Sequence, residues 1–163
     1  MRRQPRANAW RRCARSAGSG MCSALSIRPG MPSVVVLDTN ALIFDALQPR
    51  RLTARASRAI ESATARGDIA CSDISLWEIA MLVAKDRLDP GVELTQFLHD
   101  VIQARGLHIL PITPEIAVLA QSAQFLHGDP ADRIIAATAM HFKAKLISAD
   151  AQIRKLKSIE VVW

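Results

Sequence analysis

No apolar run in these 163 residues approaches the roughly 18 residues of a membrane-spanning helix, so no such helix is read here. The three cysteines, Cys13, Cys22 and Cys71, form no CxxC pair. Neither a zinc site nor a disulfide framework is therefore implied, and Cys71 reads as a buried thiol on a strand. That usage fits a reducing cytoplasm. There is no GxxxxGK[ST], no GxGxxG after a strand and no GxSxG. Their absence removes the phosphate-binding loop, the dinucleotide fingerprint and the serine-hydrolase elbow. His99, His108, His127 and His141 show no metal-ligand spacing and read as surface or partly buried residues, with His127 the one candidate for a place near the site.

The first 30 residues lack any Asp or Glu but hold seven arginines: Arg2, Arg3, Arg6, Arg11, Arg12, Arg15 and Arg28. Removing those seven charges from the net +6 leaves about −1 for residues 31–163. The high pI thus belongs to a basic leader, residues 1–30, that is too poor in large apolar residues to build a core and is expected to be disordered. A nucleic-acid arm and a targeting peptide both suit that composition. Arg2-Arg3 lacks the apolar stretch that an export signal needs. The reading we favour is a translation start at Met31, because the first strand follows at once. Residues 31–163 then form one nearly neutral domain of ordinary size, without repeats or an internal linker.

Within that domain, short apolar runs alternate with helical patterns. Val34–Leu37, Ile69–Cys71, Leu107–Leu110, Lys145–Ile147 and Ile159–Val162 read as strands. Helices are expected over Ala41–Leu47, from the Thr53 cap to Arg66 before Gly67, over Ile74–Arg87 after the cap residues Ser72 and Asp73, over Val92–Ala104 before Gly106, from Pro114 to Phe125, from Pro130 to about Lys143, and briefly after Asp150. Strands that alternate with helices pair in parallel through right-handed crossovers. The expected fold is a three-layer α/β/α domain with a central, short-stranded, mainly parallel sheet. In such sheets ligands bind beyond the carboxyl ends of the strands, where Asp38 and Asp150 both fall.

Each acid in that region has a structural explanation. Asp38 can cap the helix that follows it. Glu78 lies on an apolar stripe with Ile74, Ser75, Met81 and Leu82, where a carboxylate needs a cation, a hydrogen bond or a raised pKa. A salt bridge to a basic residue would satisfy it. In "GDPADRIIAATA", Asp129 precedes Pro130 as an N-cap, and Asp132 takes the third helical position, which also favours an acid. Arg133 beside it reads as an ion-pair partner. Asp150 can cap the helix from Ala151. Four carboxylates converging on one rim are harder to explain singly. Like charges in hydrogen-bonding range repel, and divalent cations relieve the repulsion. All-oxygen donors select Mg²⁺ or Mn²⁺, which can activate water and hold phosphate oxygens.

"VVVLDTNALIF", "SDISLWEIAML", "DPADRIIAATA" and "LISAD" resemble, in order, the four acidic motifs of PIN-domain ribonucleases. The resemblance covers about residues 33–163 and is nearest to the VapC-type toxins of bacterial toxin–antitoxin pairs. It implies a Mg²⁺- or Mn²⁺-dependent endoribonuclease in which Asp38, Glu78, Asp132 and Asp150 match the four catalytic, metal-holding acids. Thr39 and Ser148 match the small hydroxyl positions beside them. It further implies an RNA substrate, a homodimer and a cognate antitoxin whose tail covers the site, in the cytoplasm. The leader does not match the family pattern.

Two other functions remain on the residues alone. A haloacid-dehalogenase-like phosphatase would use Asp38 as nucleophile, but it wants a second Asp two positions on, where this chain has Asn40. A non-catalytic binding module would keep the fold and the dimer surface without the chemistry, although the presence of all four acids weighs against a decayed site.

Overall fold

The computed structural model describes residues 34–122 and 128–163. The basic leader, residues 123–125 and His127 lie outside the described residues, while the helix expected to run from Pro114 to Phe125 ends at Leu119, with Ala120 as its C-cap. The elements run β1 (Val35–Leu37), α1 (Thr39–Leu47), a 3₁₀ turn (Pro49–Arg51), α2 (Ala54–Arg66), β2 (Ile69–Ser72), α3 (Ile74–Ala84), α4 (Leu94–Arg105), β3 (His108–Leu110), α5 (Pro114–Leu119), α6 (Pro130–Phe142), β4 (Lys145–Ile147), a 3₁₀ turn (Ile153–Lys155) and β5 (Val161–Val162).

All five strands pair in parallel, in the order β3-β2-β1-β4-β5. Strands this short are buried on both faces, and their side chains alternate between two cores. Val35, Leu37, Ile69, Cys71, Ile147 and Val162 enter one core with Ala41, Ile60, Ile79 and Phe97 of α1 to α4. Val34, Val36, Ala70 and Leu146 enter the other with Ile116 of α5 and Ile135, Ala136 and Ala139 of α6. This is the expected three-layer α/β/α sandwich, parallel throughout.

The chain winds outward from β1 to β3 and then returns to place β4 on the other side of β1. Strand order therefore reverses between β1 and β4, which in a parallel sheet opens a crevice at the carboxyl ends of those two strands. The ladder runs one residue beyond the strands there. Asp38 N–H donates to the Ile147 carbonyl at 3.1 Å and Ser148 N–H to the Val162 carbonyl at 3.3 Å.

Several boundaries differ from the sequence reading. The Ile74 helix stops at Ala84 instead of Arg87, because Asp86 takes a left-handed backbone, φ +54°. Ser72 is the last residue of β2, not a cap, and Asp73 makes no capping bond. Its carboxylate instead accepts from Ile112 N–H at 3.1 Å, tying the ends of β2 and β3 together. Helix α1 begins at Thr39, two residues early, since Asp38 caps it directly. By contrast α2 follows its signals: Thr53 Oγ1 accepts from Ala56 N–H, and Gly67 closes the helix at φ +71°. Among the described residues no helix is long and apolar enough to cross a membrane.

Candidate functional site

Asp38 stands at the tip of β1, 2 % exposed, where the chain leaves the sheet. Its Oδ1 accepts from Ala41 N–H at 2.5 Å, so the capping role read from sequence is real. Ser148, fully buried at the end of β4, hydrogen-bonds the same carboxylate. The Ser148 Oγ also accepts from Asp150 N–H at 3.1 Å, so one hydroxyl links the first and fourth acids. Asp150 Oδ1 accepts from Gln152 and Ile153 N–H at 2.7 and 2.9 Å, and caps the 3₁₀ turn after β4.

Helix α3 brings in Glu78 from the side. It packs against α1, α4, α6 and β2, lying across the sheet end between the two outer layers. Glu78 is half-buried, and Thr39 Oγ1 donates to its Oε2 at 2.5 Å. The salt bridge that would have satisfied this acid is replaced by a hydroxyl from α1. Asp132 is half-buried in the first turn of α6, and Asp129 caps that helix through Ala131 N–H at 2.9 Å.

The protonation states record how these groups see one another. Burial pushes the Asp38 carboxyl from 3.8 to about 6. The Ser148 and Ala41 hydrogen bonds oppose that rise, while the charges of Asp132 and Asp150 add to it. Glu78 is also raised, first by burial, with Asp132 and Asp129 contributing and the Thr39 bond opposing. Among the described residues no lysine or arginine shifts either acid. Asp132 thus acts on both Asp38 and Glu78, and each acid predicted to belong to the site lies in the field of at least one other.

The donors suit a hard divalent cation: carboxylates flanked by hydroxyls, their charges mutually unfavourable and two of their pKa values raised. The fit is one of chemistry more than of closed geometry. Among the described residues, no three His, Cys, Asp or Glu side chains stand close enough to hold a single ion. Asp38 and Asp150 are instead drawn back onto helix caps.

Asn40, two residues beyond Asp38, faces solvent. It offers nothing to a phosphatase that needs a second carboxylate there. Arg133 was read as an ion-pair partner, yet among the described residues it forms no ion pair, and its Nε is buried without an acceptor. Asp73, at the tip of β2, is a rim carboxylate directed to Ile112 instead of the cluster. Cys71 is buried as expected, and its thiol is pushed up to about 12, chiefly by burial. Asp129, for which capping had seemed sufficient, also acts on Glu78; its place two residues before the third-motif acid was the available signal.

The family model of the PIN domain matches residues 35–159. The curated ribonuclease VapC22 of Mycobacterium tuberculosis is 32 % identical over 123 residues, 75 % of this chain and 91 % of that protein. Among solved structures, VapBC2 from Rickettsia felis, bound to a promoter DNA fragment, matches with a TM-score of 0.61 at 16 % identity. That match covers 78 % of this chain and 96 % of the other. The FitAcB structure from Neisseria gonorrhoeae matches with a TM-score of 0.52 at 23 % identity, covering 78 % of this chain and 96 % of that one.

Proposed function

This chain belongs to the PIN-domain family, and from that premise we propose that it is a divalent-metal-dependent endoribonuclease, the toxin of a toxin–antitoxin pair. One observation carries the reading. A buried aspartate, Asp38, sits at the strand-order reversal in the field of Asp132 and Asp150, and no Lys or Arg among the described residues offsets that field. Such an arrangement is unfavourable in itself and favourable once a cation arrives. The sequence likeness to a named ribonuclease supplies the chemistry.

In this proposal Asp38, Glu78, Asp132 and Asp150 hold Mg²⁺ or Mn²⁺. The ion would supply a water of lowered pKa and charge neutralisation at a phosphodiester. The chain's own contribution is positional. Thr39 fixes the Glu78 carboxylate from α1, and Ser148 joins Asp38 to the Asp150 backbone. The two cores beneath hold both strand tips rigid and dry. The caps on Asp38 and Asp150 keep these side chains in place before the ion binds.

The proposed assembly is a cytoplasmic homodimer silenced by a cognate antitoxin. The fold likeness to VapBC2, solved bound to a DNA fragment from the promoter of its components, supports a partner of this kind. So does Trp77, the neighbour of Glu78 on α3, which is 59 % exposed. An acidic rim invites a cationic side chain from that partner. We further propose that residues 31–163 form the working unit and that residues 1–30 are dispensable.

The test is cleavage of a mixed RNA pool by the purified chain with Mg²⁺, with Mn²⁺ and with EDTA, alongside Asp38→Asn, Glu78→Gln, Asp132→Asn and Asp150→Asn. The expected result is metal-dependent cleavage that falls about a hundredfold or more in each variant. Full cleavage in EDTA, or full activity in the variants, would remove the metal assignment. No cleavage by the wild-type chain with either metal would leave a binding module of the same fold.

A further inference from the structure

A site built of carboxylates repels the polyanion it is proposed to cut, so the attraction must come from elsewhere on the surface. The net charge gives no hint of where, because residues 31–163 are nearly neutral overall. The charges are nonetheless segregated. Between Asp45 and Glu61 there is no acid, while Arg50, Arg51, Arg55 and Arg58 are all exposed. Among the described residues none of the four forms a salt bridge; ion pairs there hold Arg66, Arg105 and Lys145 instead. Arg55 sits in the first turn of α2, which contains no acid, with Arg58 one turn further along. Cations there oppose the helix dipole, so local stability does not account for them. They add instead to the partial positive charge of the helix end.

Position ties this patch to the candidate site. The Arg51 guanidinium lies over the Phe44 ring, 3.9 Å from its centroid. Phe44 in turn packs on Trp163, with centroids 6.2 Å apart. Trp163 directly follows β5, and the carbonyl of its neighbour Val162 accepts from Ser148 N–H. Trp163 therefore ends the same rim on which Asp38 and Asp150 stand, two strands, or roughly 10 Å, from Asp38. Trp163 is partly buried against the core, and its remaining exposed part lies between the carboxylates of that rim and the exposed arginines.

We infer that Arg50, Arg51, Arg55 and Arg58, with Trp163, form the track that holds single-stranded RNA beside the acidic site, phosphates on the arginines and a base against the indole. This rests on the ribonuclease reading and gives that site its approach surface. Exposed arginines beside a ring are the combination by which proteins hold single strands without reading sequence. An acidic protein partner would need the charges but not the ring.

The experiment uses the full chain in EDTA, so that binding is read without cleavage. Anisotropy of a fluorescein-labelled single-stranded RNA of about 12 nucleotides is followed over a salt series. Wild type is compared with Arg50→Gln/Arg55→Gln/Arg58→Gln and with a control, Lys85→Gln/Arg87→Gln, at the far end of α3. Each phosphate contact contributes about 0.7 to the slope of log affinity against log salt for single strands. The triple variant should lose about 2 from that slope and the control nothing. With Mg²⁺ present, the triple variant should show a raised KM and a kcat close to wild type. An unchanged slope in the triple variant, or an equal loss per charge in the control, overturns the inference while leaving wild-type cleavage, and hence the nuclease reading, intact.

Discussion

Replacing Asp38 by Asn should stabilise this protein at neutral pH, an unusual outcome for a substitution at a buried position. The carboxyl is 2 % exposed and its pKa rises from 3.8 to about 6 on folding. A rise of about two units corresponds to about 3 kcal/mol against the ionised form. The sign follows from proton binding. Between about pH 3.8 and 6 the native state binds more protons than the unfolded chain, so stability falls as pH rises through that window. Above about pH 6 the penalty is complete; well below 3.8 it is absent. Asn keeps the acceptor for Ala41 N–H and caps about as well as Asp. It cannot ionise, and it removes one negative charge from the field of Asp132 and Asp150. Allowing for imperfect placement of the Asn amide, the expected gain at pH 7.5 is about 1–3 kcal/mol. For a domain of this size that is a Tm rise of roughly 4–10 °C. The assay is calorimetric unfolding of both proteins in EDTA from pH 4 to pH 7.5. The gap should open as pH rises and nearly close at pH 4. A gap of constant size, or an Asn variant less stable than wild type at pH 7.5, would refute the electrostatic account of Asp38.

Three further expectations rest on other parts of the molecule. Thr39→Val removes the hydroxyl that fixes Glu78, so metal affinity measured by titration should fall roughly 10- to 100-fold, with Thr39→Ser restoring most of it; an unaffected Val variant would show that the bond does not orient the acid. Gly67→Ala meets no neighbouring atom within 4 Å but must hold φ +71°, so denaturant unfolding should show a loss of about 1 kcal/mol from backbone strain alone, and no loss would contradict the left-handed closure of α2. Cys71, buried and with its thiol pushed up to about 12, should resist iodoacetamide at pH 8 in the folded protein and react once it is unfolded; rapid native labelling mapped to Cys71 would contradict its burial.

The layers and the strand tips were legible in the sequence because both are written locally. Continuous apolar runs mark strands buried on both faces, and an acid directly after such a run lies at the carboxyl end by construction. Thr53 and Gly67 bracket α2 for the same reason. What escaped was set by tertiary contact or by averaging. The partner of Glu78 is Thr39, 39 residues away in sequence, and no local pattern distinguishes that hydroxyl from an arginine as the group that satisfies a half-buried acid. Asp73 follows a strand just as Asp38 does, yet its carboxylate is taken by Ile112 across the neighbouring loop. The early end of α3 turns on the backbone of Asp86, a residue without the glycine signal that closes α2 and α4. The arginine patch is hidden in a net charge near zero, because acids elsewhere in residues 31–163 cancel it in the sum.

The most direct test of the central claim is calorimetric titration of Mn²⁺ into the full chain and into its Asp38→Asn and Asp132→Asn variants at pH 7.5. If the four carboxylates form the cation site, wild type should bind Mn²⁺ and each variant should bind at least about tenfold more weakly. Equal Mn²⁺ affinity in wild type and both variants would place any metal elsewhere and reduce the acids at this rim to helix caps.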